Sequence, residues 1–203
     1  MGGAALSDVT LASFDVIDEL LTAVEDVGRF PNLRTVVVVG HSAGGQFVTN
    51  YQMTNRVHER LRVPPTYVAA NASAYAYPDD TRPTVVDLTA CPTYADWPFG
   101  VGARVGYVSR PLLEEIRDHA AQRPITLLMG ELDNKPATGG FFASCAALAQ
   151  GASTRERGEA FGRHMSARYK ARQTAVVVPG CGHSESCMFL SRPGMTALFF
   201  SAR

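Results

Sequence analysis

The segment RTVVVVGHSAGGQFVTNY, residues 34–51, constrains the fold more than any other part of the chain. Residues 35–39 are too few for a helix and too uniformly apolar for a strand with one wet face. They read as a strand covered on both faces, as in a parallel sheet. The β-branched run stops at a glycine, and a helical segment follows from about Ala43 to Leu61. A buried strand turning straight into a helix, with a serine at the corner, announces an α/β unit.

The rest of the chain continues the alternation. Phe14, Ile17, Leu21 and Val24 recur at three- and four-residue steps, one face of a helix over residues 6–26. Ser7 or Asp8 can cap its start, and Gly28 and Pro31 end it. Short apolar runs at residues 67–70, 125–129 and 175–178 read as three more strands. Residues 111–122 and 155–170 read as helices, and residues 188–200 as a last helix interrupted at RPG. Residues 71–110 are irregular and rich in Pro, Tyr, Asp and Gly. With the helix that follows, residues 71–123 form a lid-like excursion over the sheet. The expected architecture is a doubly wound, mostly parallel α/β sheet in a single domain over residues 1–203.

Composition narrows the function. At 203 residues the chain suits one domain with a sizeable core. Nineteen basic residues balance nineteen acidic ones and no basic block stands out, which argues against nucleic acid as a partner. No apolar run approaches the roughly 18–20 residues that span a bilayer, and no basic segment followed by an apolar stretch marks a signal peptide. The four cysteines, Cys91, Cys145, Cys181 and Cys187, allow three pairings. They contain no C-x-x-C pair and the histidines lack ligand spacing around them, so neither a metal nor another cofactor is expected. Two readings stay open. The thiols are unpaired, or Cys181 joins Cys187 and Cys91 joins Cys145, which would favour an exported protein.

The chemistry is concentrated at strand ends. GHSAG, residues 40–44, fits G-x-S-x-G between a strand and a helix. At so tight a turn both Gly40 and Gly44 are expected to relieve crowding. The turn lifts the Ser42 hydroxyl clear and aims the Ala43 amide at the same point, a first oxyanion donor. A serine hydroxyl needs a base, and the base needs an acid. GELDN after the third strand offers Asp133, with Glu131 as the alternative. PGCGHSE after the fourth offers His183. His41 lies inside the elbow, whereas His58, His119 and His164 fall in helical stretches. His41, Asn71, Ser73, Tyr75 and Tyr77 are candidates to line a substrate pocket. Alternatively, Tyr75, Tyr77, Tyr94 and Trp97 pack the excursion against the body. Arg155 or Arg157 either faces a substrate carboxylate or belongs to a solvated first helical turn.

These motifs resemble those of the α/β-hydrolases. VVVVGHSAGG is similar to that superfamily's elbow, LLMGELDN to its acid turn and VVVPGCGHSE to its histidine turn. The resemblance implies Ser42 as nucleophile, His183 as general base and then acid, and Asp133 as the orienting carboxylate. It implies hydrolysis of a small carboxylic ester through an acyl-enzyme, with amide or thioester cleavage open to the same groups. A non-catalytic binding or assembly module of the same fold is the rival expectation. The superfamily usually has about eight strands, with the elbow after the fifth. Here one helix precedes the elbow strand, and no glycine-rich HG or HGGG segment lies upstream of Ser42 to supply a second oxyanion donor. The fold is therefore expected to be N-terminally incomplete, with an N-terminal fragment or second chain completing the sheet.

Overall fold

A computed structural model describes residues 11–136 and 143–200. Its centre is a four-stranded parallel sheet of β1 (Val37–His41), β2 (Thr66–Ala70), β3 (Ile125–Gly130) and β4 (Gln173–Val178), in the order β1-β2-β3-β4. The registers align Val39 with Val68, Ala69 with Leu127 and Leu128 with Val176, so the carboxyl ends of all four strands open on one edge.

Seven helices surround the sheet among the described residues: α1 (Ser13–Val24), α2 (Ala43–Thr54), α3 (Leu113–Gln122), α4 (Cys145–Leu148), α5 (Thr154–Tyr169), α6 (Glu185–Leu190) and α7 (Arg192–Phe199). The larger core packs Phe14 of α1, Tyr51 of α2, Ile116 of α3 and Phe161 of α5 on Tyr67, Ala69, Leu127 and Met129 of the strands. On the other face, Met188 of α6 and Ala197 of α7 cover Val68, Ala70, Leu128 and Val178. Both faces of β2 and β3 are thus buried, which explains their unbroken apolar runs.

Several boundaries differ from those read in the sequence. The elbow strand runs to His41 and lies at the sheet edge, where Val39 is 44% exposed. Its coverage is partial rather than complete: Val38 packs on the larger core and Val37 on the smaller one, while Val39 stays half-exposed. Helix α2 ends at Thr54, well before Leu61, because Asn55 competes with the helix. Its side-chain amide donates to the Tyr51 carbonyl at 2.7 Å and to the Tyr67 hydroxyl at 3.0 Å. A 3-10 turn at His58–Arg60 follows. Helix α1 begins after Ala12, whose N–H donates to Asp15 at 2.8 Å. The proposed caps Ser7 and Asp8 lie outside the described residues. The tail is two helices, and Ser191 caps the second by accepting from Gly194 N–H at 3.0 Å.

The excursion after β2 is tied down rather than loose. Cys91 is bridged to Cys145 and Cys181 to Cys187, with Cα atoms 5.8 and 5.7 Å apart. The first bridge staples the excursion to α4 and closes a long loop, worth roughly 4 kcal/mol by loop entropy. The second encloses His183.

Candidate active site

Ser42 sits between β1 and α2 at φ 56° and ψ −118°, a conformation that costs about 1–3 kcal/mol for a residue with a side chain. The elbow is pinned to the next strand, because Ser42 N–H donates to the Ala70 carbonyl at 2.9 Å. Serine at a helix N-cap ordinarily turns its hydroxyl onto the first-turn amides. Here it makes no such cap bond. The Oγ instead lies 2.9 Å from Nε2 of His183. First-turn amides such as that of Ala43 have no acceptor within their own helix, and the helix dipole adds positive potential where they point.

The crowding at the elbow is not shared by both glycines. A Cβ on Gly40 would collide with the backbone carbonyl of Gly44, whereas one on Gly44 would meet nothing. The crowded partner is Gly45, where a Cβ would lie 2.9 Å from the Ala70 carbonyl oxygen as α2 crosses β2.

His183 lies in the turn after β4 and Asp133 in the turn after β3. Nδ1 of His183 is 2.8 Å from Oδ2 of Asp133, an N–H the carboxylate accepts, which leaves Nε2 as the acceptor for the Ser42 hydroxyl. The imidazole side chain is 42% exposed and the carboxylate beneath it 12%. The acid turn is held from outside: the Asp133 carbonyl accepts from Arg155 N–H and from the Thr154 hydroxyl, both at 3.2 Å. Glu131, the alternative acid, is occupied elsewhere, accepting from Gly180 N–H at 2.8 Å.

His41 ends β1 with its ring centroid 4.7 Å from that of His183. Burial, and then the charge on His183, push its pKa below the ordinary imidazole value. Both effects favour its neutral form beside the second ring.

The other candidates divide. Asn71 is 1% exposed at the end of β2, where its amide bonds the two neighbouring turns. The Ser73 hydroxyl lies 3.5 Å from that of Ser42. Tyr75 and Tyr77 are fully buried and pack on Phe161, with ring centroids at 4.5 and 5.2 Å. Both rings belong to the core, and the small cleft that Tyr77 lines with Arg82 and His164 includes none of Ser42, Asp133 and His183. The excursion runs inward beneath α5 before it emerges, and Gln150 fixes it there by bonding both the N–H and the carbonyl of Tyr75. Arg155 is paired with Glu159. Arg157 is neither solvated nor aimed at the site: it is fully buried and donates to the carbonyls of Gly151 and Ser73 at 2.9 and 2.7 Å. The sequence gives no signal for that role, since an arginine one turn into a polar helix ordinarily points outward.

A model of the alpha/beta hydrolase family matches residues 1–197. The chain belongs to the alpha/beta hydrolase family. Among solved structures, the chain resembles LpqC, a poly(3-hydroxybutyrate) depolymerase from Bordetella parapertussis, at 24% identity and TM-score 0.60. It also resembles poly(aspartic acid) hydrolase-1 from Sphingomonas sp. KT-1 at 24% identity and TM-score 0.63. The matches cover 85% and 88% of this chain but 52% and 61% of those chains, respectively. The likeness is therefore one of fold, and the chain spans just over half their length. No curated protein matches it.

Proposed function

We propose that this chain carries the catalytic triad of a serine hydrolase that cleaves a small carboxylic ester through an acyl-enzyme. Ser42 attacks the carbonyl carbon while His183 takes the hydroxyl proton. The Ala43 amide donates to the developing oxyanion. His183 then returns the proton to the leaving alcohol, and the acyl group stays on Ser42. In the second half His183 takes a proton from the water that attacks the acyl carbon, then gives that proton to the Ser42 oxygen as the acyl bond breaks and the acid leaves. Asp133 keeps the imidazole in the useful tautomer and stabilises it when protonated. The observation that carries this reading is the continuous pair of contacts at 2.9 and 2.8 Å from Ser42 through His183 to Asp133. Amide and thioester bonds are open to the same groups.

The test is active-site labelling. A fluorophosphonate probe should label the protein, and Ser42→Ala should abolish both labelling and hydrolysis of 4-nitrophenyl butyrate. An intact assembly that folds but takes no label would replace this reading with a non-catalytic module of the same fold.

We also propose that additional polypeptide covers the free edge of β1 and brings the second oxyanion donor. The half-exposed Val39 on that edge strand supports this. Two disulfides fit an oxidising compartment as the place of action.

A further inference from the structure

Three of the four strand ends carry the proposed triad, and the fourth carries Asn71. Asn71 follows Ala70 at φ 45°, a left-handed backbone that Asn tolerates better than most residues. Its own N–H donates to the Leu128 carbonyl at 2.8 Å. That turn leaves the side chain buried between the elbow and the ends of β3 and β4. Oδ1 accepts the Gly130 N–H at 2.7 Å, and Nδ2 donates to the Gly182 carbonyl at 2.9 Å. The orientation of the amide is fixed by its partners, since an N–H can only donate and a carbonyl can only accept.

Those partners are not arbitrary. Gly130 is the last residue of β3 and opens the turn to Asp133, while Gly182 immediately precedes His183. The two turns run so close that a Cβ on Gly130 would sit 2.7 Å from the carbonyl oxygens of Cys181 and Gly182. Two backbone bonds also join the strand ends here, from Glu131 N–H to the Val178 carbonyl at 3.0 Å and from Leu132 N–H to the Cys181 carbonyl at 2.8 Å. The Asn71 amide adds the next link, one residue nearer the imidazole. Its Nδ2 also lies 3.4 Å from Nε2 of His41, the residue before the nucleophile.

We propose that Asn71 is a positioning residue: its side-chain amide clamps the acid turn to the histidine turn and so sets where the His183 ring stands between Asp133 and Ser42. This rests on the serine-hydrolase reading above, and it replaces a direct substrate contact as the role of Asn71. Misplacing a reacting group by about 1 Å can cost on the order of 10²-fold in rate while leaving substrate binding unchanged.

Two variants separate the roles. Asn71→Gly keeps the left-handed backbone and removes the amide. Asn71→Asp keeps the shape but sets an acceptor against the Gly182 carbonyl. Both should lower kcat for 4-nitrophenyl butyrate by roughly 10–100-fold with KM within about twofold. Both should also move or broaden the far-downfield proton resonance of His183 Nδ1–H, while Ser42→Ala keeps that resonance in place. A rise in KM with kcat preserved would make Asn71 a substrate contact and overturn the proposal. Unchanged kinetics with an unmoved resonance would overturn it as well. If the native protein neither labels nor hydrolyses esters, the enzymatic reading fails first. The proton resonance then still decides whether Asn71 sets the His183–Asp133 contact.

Discussion

Ser42 shows how much one residue's surroundings decide. At an ordinary helix start its hydroxyl would cap the next amides; on this strained turn it is offered to an imidazole instead. Asp133 is the residue whose replacement tests the geometry most directly, because its carboxylate is buried under the ring it orients. Asn at that position keeps the size but presents an amide to Nδ1, which favours the wrong imidazole tautomer. Asp133→Asn should therefore lower kcat by roughly 10³–10⁴-fold with little change in thermal stability. Steady-state kinetics beside a thermal melt would check both halves of that expectation.

At the scale of elements, the connection from α2 to β2 carries a titration of its own. His58 in the 3-10 turn stacks on Tyr67, with ring centroids 5.7 Å apart, and its Nδ1 is 3.0 Å from the Tyr67 hydroxyl. Nearby, Arg123 makes a two-pronged bond to Glu59, with both contacts at 2.8 Å. Burial, followed by the charge of Arg123, lowers the His58 pKa from 6.5 to about 4. The unfolded chain then binds a proton that the folded chain refuses, so His58 contributes stability above about pH 6.5 that is lost as pH falls toward 4. The loss amounts to roughly 2–4 kcal/mol across that window. Thermal melts should fall in midpoint from pH 7 to pH 4, and His58→Gln should flatten the slope. Some slope should remain, because burial and Arg123 depress His119 in the same direction. An unaltered slope in the variant would remove His58 from this role.

For the whole molecule, the sheet is closed at neither edge among the described residues, but the two edges are not alike. β4 ends the strand order beside α5, whereas β1 carries the half-exposed Val39. Unpaired strand edges with apolar side chains invite another strand. Intact mass and gel filtration of the purified protein should therefore show more polypeptide in the active species than the 21.8 kDa of this chain, as a longer chain, a second chain or a second copy. Full esterase activity in a soluble monomer of that mass would refute a covered β1 edge.

Much of the fold and of the candidate site is legible in the chain, and the reason is locality. Apolar runs bounded by turns mark β2, β3 and β4 to within a residue or two; burial on both faces leaves an unbroken pattern in β2 and β3, while β4 is half-buried. Ser42, Asp133 and His183 stand out because each polar group follows directly on such a run. What the sequence leaves undecided depends on contacts between distant segments. It reads the elbow strand as covered on both faces, since a run of valines does not show that Val39 stays half-exposed. It leaves Tyr75 and Tyr77 open between pocket and packing, and Arg157 between substrate and solvent, because it holds no record of which side chains turn inward. It marks both Gly40 and Gly44 as crowded, although only the packing of β1 against the helix start tells them apart. The sequence alone determined which chemistry stands at which strand end. Tertiary structure decided which of those groups meet, because distances across a sheet are set by packing and not by spacing along the chain.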